Sequence, residues 1–373
     1  MNLLLLGALL AGASFSQEYD DLSLETVEAA LSSKCKLREL YDQFRVDHGL
    51  IRCKKEHPHR WDLFRKSLET IRKMKRNDEI TWDVGLTPLS DLTDAEFETQ
   101  YLGYNISLQE SSILTEEYET PSLQGPAIPE SFDWRNPNGD PKDTFVTPIQ
   151  HQREGSCWAR AAMVPLESQV KELSGVLLAF SVFEAYDCTY DGENGYDGRG
   201  GAGRPKDVWL WLQKYGRLSS RAEIPDRPGN LPTHYMKLLY ADTPNYFARF
   251  EVERIKWVRD EDGLVSSVYQ TSPVAISFAT KSLRDSHFRG YKGKPLFSND
   301  CTQDVDHSMA VVGYTKDTLI IKNTWGEGWG DKGYLIWKRH QPGANCGLYR
   351  QASYPTLKYY PKGQKEKKIK KIQ

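Results

Sequence analysis

At 373 residues the chain exceeds one average domain, so two or three folding units are expected. Hydrophobic residues at 39% and aromatics at 12% suit a globular protein and exclude extended disorder. With 49 Lys plus Arg against 51 Asp plus Glu, no overall basic field exists to hold nucleic acid. Six cysteines are too few for a disulfide-framed miniprotein.

Met1 to Ser16 carries a short apolar stretch, Leu3 to Leu10, followed by small residues and then acids. It is too short to span a bilayer and reads as a removed secretory signal. A secretory route permits disulfides and makes Asn105-Ile106-Ser107 a candidate glycan acceptor. From Leu22 to Lys75 apolar residues recur at helical spacing: Leu37, Leu40, Tyr41 and Phe44, then Trp61, Phe64, Leu68 and Ile71. Two helices joined through the polar stretch 47–58 follow, with Cys35 and Cys53 able to bridge across it. Residues 107–127, with Pro121, Gly125 and Pro126, read as an extended, protease-accessible connector.

After Ile128 the texture changes. Helix-length apolar segments at 157–173 and 205–214 precede strand-like runs at 273–278, 309–313, 318–322 and 333–337. A helical half followed by a β half predicts an α+β class with two subdomains. The end, KYYPKGQKEKKIKKIQ, sets seven lysines against one glutamate and reads as a solvated, disordered tail.

Cys157 follows Gly155-Ser156 at the start of an apolar helical run. A thiol there meets unpaired backbone N–H groups and the positive end of the helix dipole, both of which favour thiolate. His307 opens a β-type run downstream, where an imidazole can hold the thiolate as an ion pair. Asn323 comes next, able to accept the second imidazole N–H and fix its tautomer, with the Trp325 ring shielding that bond.

The segments Cys157-Trp-Ala, Val305-Asp-His307 and Lys322-Asn-Thr-Trp-Gly-Glu-Gly-Trp-Gly330, in that order, resemble those of papain-like cysteine peptidases, the cathepsins included. Cys157 lies 150 residues before His307 and 166 before Asn323, spacings that fit or slightly exceed the family pattern. Ile128-Pro-Glu-Ser-Phe-Asp-Trp134 resembles the start of a mature enzyme, and Cys346-Gly-Leu-Tyr349 its C-terminal stretch. Ser181 to Cys188 is similar to the family's second helix, with Ser181 and Glu184 spaced as a capping box. Upstream, Glu56, Arg60, Phe64 and Ile71 keep a prodomain spacing in which Ser67 and Lys75 replace two asparagines. Gly85, Thr87, Leu89 and Asp91 resemble the adjoining motif, with Thr and Leu as departures.

The resemblance implies a two-subdomain papain-like fold: a helical left half and a β-barrel-like right half, preceded by a helical prodomain. It implies a signal peptide over 1–16, an inhibitory prodomain over 17–126, the peptidase domain over 127–357 and a basic tail over 358–373. The prodomain's extended strand would fill the cleft in the unproductive direction. Cys301 and Cys346 match a family bridge, whereas Cys188 matches a half-cystine without a partner and is expected as a buried free thiol.

The chain departs from the family before the nucleophile. Gln152-Arg-Glu-Gly-Ser-Cys157 is one residue shorter than usual and lacks an extra cysteine. Gly195-Tyr-Asp-Gly-Arg-Gly-Gly201 lacks that cysteine's partner, so both halves of one bridge are missing together. Gln152 is the candidate oxyanion donor, with His151 or Gln150 in its place if the deletion falls elsewhere. Arg160 stands where a large apolar residue is usual, adding positive potential near the thiolate but costly if buried unpaired. Pro165 should interrupt the helix that follows.

By resemblance Ser277, Val305 and Gln351 line the pocket for the residue two places before the cut, with Gln351 at its floor. Gly200 and Gly201 would clamp substrate as an extended strand. The overall reading is a monomeric cysteine endopeptidase zymogen on the secretory route, lysosomal or extracellular. It acts on peptide or protein substrate without metal or other cofactor, membrane span or nucleic acid, with its own prodomain as inhibitor. The alternative is a papain-like binding protein whose altered oxyanion loop impairs catalysis.

Overall fold

The structure is a computed structural model that describes residues 22–50, 57–103, 127–140, 142–152, 154–189, 203–224, 244–283, 288–298, 301–341 and 345–361. The signal segment, Cys53, the candidate glycan site, most of the connector, Gly200, Gly201 and the tail from residue 362 lie outside them.

The N-terminal unit holds three helices before the first strand: α1 (Leu24–Ser32), α2 (Lys34–Asp47) and α3 (His57–Lys75). Two were expected. Ser33 breaks the first in two: extended, it caps α2 by accepting from the Lys36 N–H while its own N–H donates to Ala30. Phe44, Phe64, Leu68 and Ile71 then close a small core, in which the Tyr41 and Phe64 rings lie 5.0 Å apart. Cys35 is exposed and unbridged.

The chain crosses to the larger unit through β1 (Asp83–Val84) and α4 (Asp94–Tyr101). α4 begins in a capping box between Thr93 and Glu96, readable as Thr93-Asp-Ala-Glu96. Arg60 of α3 grips the same Glu96 through its two terminal guanidinium nitrogens and also donates to the Asp91 carbonyl at 2.9 Å. With Arg60 and Thr93 as donors, the Glu96 carboxyl is held down at about 2 despite the opposing effect of burial. Ser67, one of the asparagine replacements, donates to the Ser90 carbonyl at 2.7 Å. β1 pairs antiparallel with β5 (Tyr291–Gly293), and Thr87 donates to the Arg289 carbonyl at 2.7 Å.

The larger unit is α+β. Its helical half holds α5 (Cys157–Ser174), α6 (Val182–Cys188) and α7 (Pro205–Tyr215). Its β half holds β2 (Phe132–Asp133), β3 (Phe250–Trp257), β4 (Val274–Phe278), β6 (His307–Tyr314), β7 (Thr318–Lys322), β8 (Tyr334–Lys338) and β9 (Ser353–Tyr359), with α8 (Glu261–Gln270) between β3 and β4. Strand order is β3-β9-β4-β6-β7-β8, all antiparallel, with β2 joined to the end of β6. Among the described residues the sheet does not close into a full barrel, since β3 and β8 end the strand order without pairing with each other.

α5 packs against β4, β6 and β9, and one apolar core runs through both halves. Pro165 does not interrupt α5, which continues to a left-handed Gly175 at φ 78°. Tight packing on both sides offsets the one missing N–H. Ser181 caps α6 by accepting from the Glu184 N–H, but no full capping box forms. The Glu184 carboxylate instead accepts from Arg217 and from the Ser219 N–H. Cys188 is buried. Cys301 and Cys346 form a disulfide. β9 runs through Tyr359, two residues beyond the expected domain end, because β3 supplies a partner for Lys358 and Tyr359.

Candidate active site

Cys157 is the first residue of α5 and is fully buried. Ser156 precedes it without a side-chain cap, leaving the helix start open. Burial pushes the thiol up to about 12, and Asp306 adds to the shift. Backbone N–H groups of Ser308, Trp158 and Gly103 point at the sulfur and oppose it.

His307 opens β6 opposite Phe278, fully buried, and Ser308 beside it sends its N–H to Cys157. The imidazole Nε2 lies 2.8 Å from Asn323 Oδ1, which also accepts from the Thr324 N–H at 2.8 Å. An amide oxygen held this way only accepts, so Nε2 carries the hydrogen and Nδ1 is the basic nitrogen. The Trp325 ring covers the imidazole at 4.8 Å between centroids. Burial lowers the imidazole pKa to about 4, with Asn323 and the Tyr101 backbone opposing. Asn323 is steadied from the preceding residue: Lys322, buried, donates to the Thr147 carbonyl at 2.7 Å, and Thr147 donates to buried Glu167 at 2.6 Å.

Gln152 is fully buried in the loop before α5. Its backbone N–H donates to Thr324 at 2.8 Å, and Thr324 Oγ1 donates back to its Oε1. That leaves Nε2 as the outward donor, directed at the carbonyls of Glu154 at 3.0 Å and Gln100 at 3.2 Å. Arg160 is buried but paired. Its guanidinium meets Glu154 Oε1 at 2.9 Å, Ser156 Oγ at 2.9 Å and Gln150 Oε1. The cost expected of an unpaired buried Arg160 does not arise: the cation faces the loop and its charge is met by Glu154.

The N-terminal unit covers the site. Phe97 and Tyr101 of α4 pack edge-on against Trp325, and the Tyr101 hydroxyl lies 3.0 Å from His151 Nε2. Two residues on, Gly103 passes between the halves. Its carbonyl accepts from the Gly203 N–H at 3.0 Å, while its own N–H faces the Asp306 carbonyl at 3.4 Å. A side chain at 103 would sit 2.0 Å from the Gly155 carbonyl, so only glycine passes there.

Gly200 and Gly201, expected to clamp substrate, lie outside the described residues; the glycine bonded to Gly103 is Gly203, a residue not singled out from the sequence. The signal was Pro205, which opens α7 two residues later and fixes where the glycine loop must end. Ser277 and Val305 do converge, around Gly347: Ser277 Oγ donates to its carbonyl at 2.7 Å and Val305 abuts its Cα. Gln351 is buried four residues further on.

A helical unit laid over a cysteine, a histidine and an asparagine, where a helix start meets a sheet, defines a cysteine peptidase still carrying its leading segment. The family model described as papain family cysteine protease matches residues 128–356, and the chain belongs to that family. It is 28% identical to probable cysteine protease RDL2 of Arabidopsis thaliana over 343 residues, covering 88% of each chain. It is 29% identical to papain of Carica papaya over 335 residues, covering 87% of this chain and 89% of that one. Its fold matches the proform of the ragweed pollen allergen Amb a 11 cysteine protease with a TM-score of 0.71, at 24% identity and covering 88% of this chain and 97% of the other. No described helix is long and apolar enough to cross a membrane.

Proposed function

We propose that this cysteine protease precursor hydrolyses peptide bonds through Cys157 and His307 once residues 17–126 have been removed. His307 Nδ1 takes the thiol proton, and the Cys157 sulfur attacks the scissile carbonyl carbon. The carbonyl π electrons move to oxygen, which the Cys157 N–H and Gln152 Nε2 stabilise. Collapse of that intermediate expels the amine with the proton held by His307, leaving a thioester. Water, deprotonated by His307, then releases the acid and restores the thiol. Asn323 keeps Nε2 protonated so that Nδ1 alone exchanges the proton.

The observation that carries this reading is Gly103, whose backbone bonds to both Gly203 and Asp306 above Cys157. That is how an extended polypeptide would be held across the sulfur. Running from Trp325 toward Gly203, the segment takes the direction opposite to the one the family resemblance implies for substrate, and so it blocks without being cut. Ser277, Val305 and Gln351 are assigned to the pocket for the residue two places before the cut, with an apolar or mixed preference. The apolar start at Met1 directs the precursor to the secretory route, and the lysosome or the extracellular space is the destination.

The test is labelling of the activated chain by a peptidyl epoxide, together with turnover of fluorogenic peptides, with Cys157→Ala as control. Labelling and turnover, both lost in the variant, support the reading. Labelling without turnover would instead mark a live thiolate with a failed oxyanion site, and no labelling a binding protein.

A further inference from the structure

We propose that the Glu154–Arg160 pair is a positioning device for Gln152, built into the shortened loop where the relatives the sequence resembles carry a disulfide. It rests on the catalytic reading above, in which Gln152 is an oxyanion donor.

One guanidinium gathers three loop residues that bracket Gln152. Nε takes Ser156 Oγ at 2.9 Å, one terminal nitrogen takes Gln150 Oε1, and the other takes Glu154 Oε1 at 2.9 Å. Ser156 Oγ also donates to Glu154, closing the ring of contacts. Because Arg160 belongs to the first turn of α5, these bonds tie the loop to the same helix that carries Cys157. A planar fork fixes direction as well as distance, which a lysine at the same place does less well.

Arg160 is 2% exposed, so its charge is stable there only while these partners stay in place. The pull on the loop is therefore stiff and not incidental. It is transmitted to catalysis at one atom, since the backbone carbonyl of Glu154 accepts from Gln152 Nε2 at 3.0 Å. Where Glu154 sits thus sets the rotation of the Gln152 amide relative to the Cys157 N–H. Without a bridge in the loop, the ion pair performs the fixing that a covalent link would otherwise provide. Arg160 is a positioning residue, acting on the oxyanion donor and not on the thiolate.

The experiment compares activated wild type with Arg160→Met, Arg160→Lys and Glu154→Gln. A peptide aldehyde adds to the thiol and places its oxygen where the oxyanion forms, whereas iodoacetamide reports only on the thiolate. Arg160→Met is expected to lose about 10- to 100-fold in kcat with KM little changed, and to weaken the aldehyde by the same factor. Iodoacetamide reactivity should stay within about two-fold of wild type, because alkylation of the thiolate forms no oxyanion for Gln152 to hold. Lys should restore part of the loss, and Glu154→Gln, which keeps an acceptor for the guanidinium but removes its counter-charge, should give a smaller loss of the same kind, a second reading if the Met variant does not fold. Unchanged aldehyde affinity, or alkylation falling in parallel with kcat, would overturn the proposal. A wild type that neither turns over peptide nor reacts with epoxide would instead overturn the catalytic reading itself.

Discussion

Acid should loosen the N-terminal unit through His48. This residue ends α2, with its ring 5.0 Å from that of Phe44, and it faces Gly328 of the larger unit. Burial, then the neighbouring Lys292, lowers its pKa to about 4; Asp47 and Asp91 oppose the shift and His151 adds to it. A folded-state value below the unfolded one of about 6.5 means the unfolded chain takes up the proton first as pH falls. The associated stability is fully present above pH 6.5 and is lost progressively down to about 4. From those two values, the folded chain loses at most about 2.5 kcal/mol by pH 4.5, roughly 70-fold in the folding equilibrium. The assay is denaturant unfolding of full-length Cys157→Ala, which cannot cleave itself, at pH 7 and pH 4.5, with and without His48→Gln. The Gln variant should lose about 2 kcal/mol less between the two pH values. An equal loss in both chains would refute the assignment to His48.

The thiol held at about 12 under the N-terminal unit predicts slow alkylation of the intact precursor at pH 7, and at least about a 100-fold gain once that unit is removed. Iodoacetamide kinetics on both forms measure it. Gly203→Ala would push a Cβ to 2.6 Å from the Trp158 ring, so the activated enzyme should lose at least about ten-fold in kcat/KM on peptides. Replacing Cys301 and Cys346 with serine opens a loop of 45 residues and should cost about 2–4 kcal/mol, read by thermal unfolding.

Periodicity located α5, α7 and the strands β4, β6, β7 and β8 to within a few residues, because each keeps one spacing along its length. β3 was hidden by its own irregularity. A register shift between Val252 and Arg254 moves the inward positions from buried Phe250 and Val252 to half-buried Ile255 and buried Trp257, breaking the alternation. β9 was hidden by Pro355, which argues against an interior strand, although beyond Ser353 only β3 lies beside it among the described strands. Cys157, His307 and Asn323 stand out in the sequence by their companions; the structure sets His307 Nε2 against Asn323 and leaves His307 Nδ1 without a hydrogen-bond partner among the described residues. Gly103 and Gly203 do not stand out, since their role lies in backbone contact between distant segments. Nor does the pairing of Arg160 with Glu154, six residues apart across the start of a helix.

The short pairing of β1 with β5 has a consequence for the liberated enzyme. Cutting away the leading segment strips β5 of the backbone partner on that side, exposing an edge to which other chains could add. Lys292 lies within that edge and Lys294 follows it, and the strand is only three residues long. Charge and brevity together guard against aggregation where the departing piece had been.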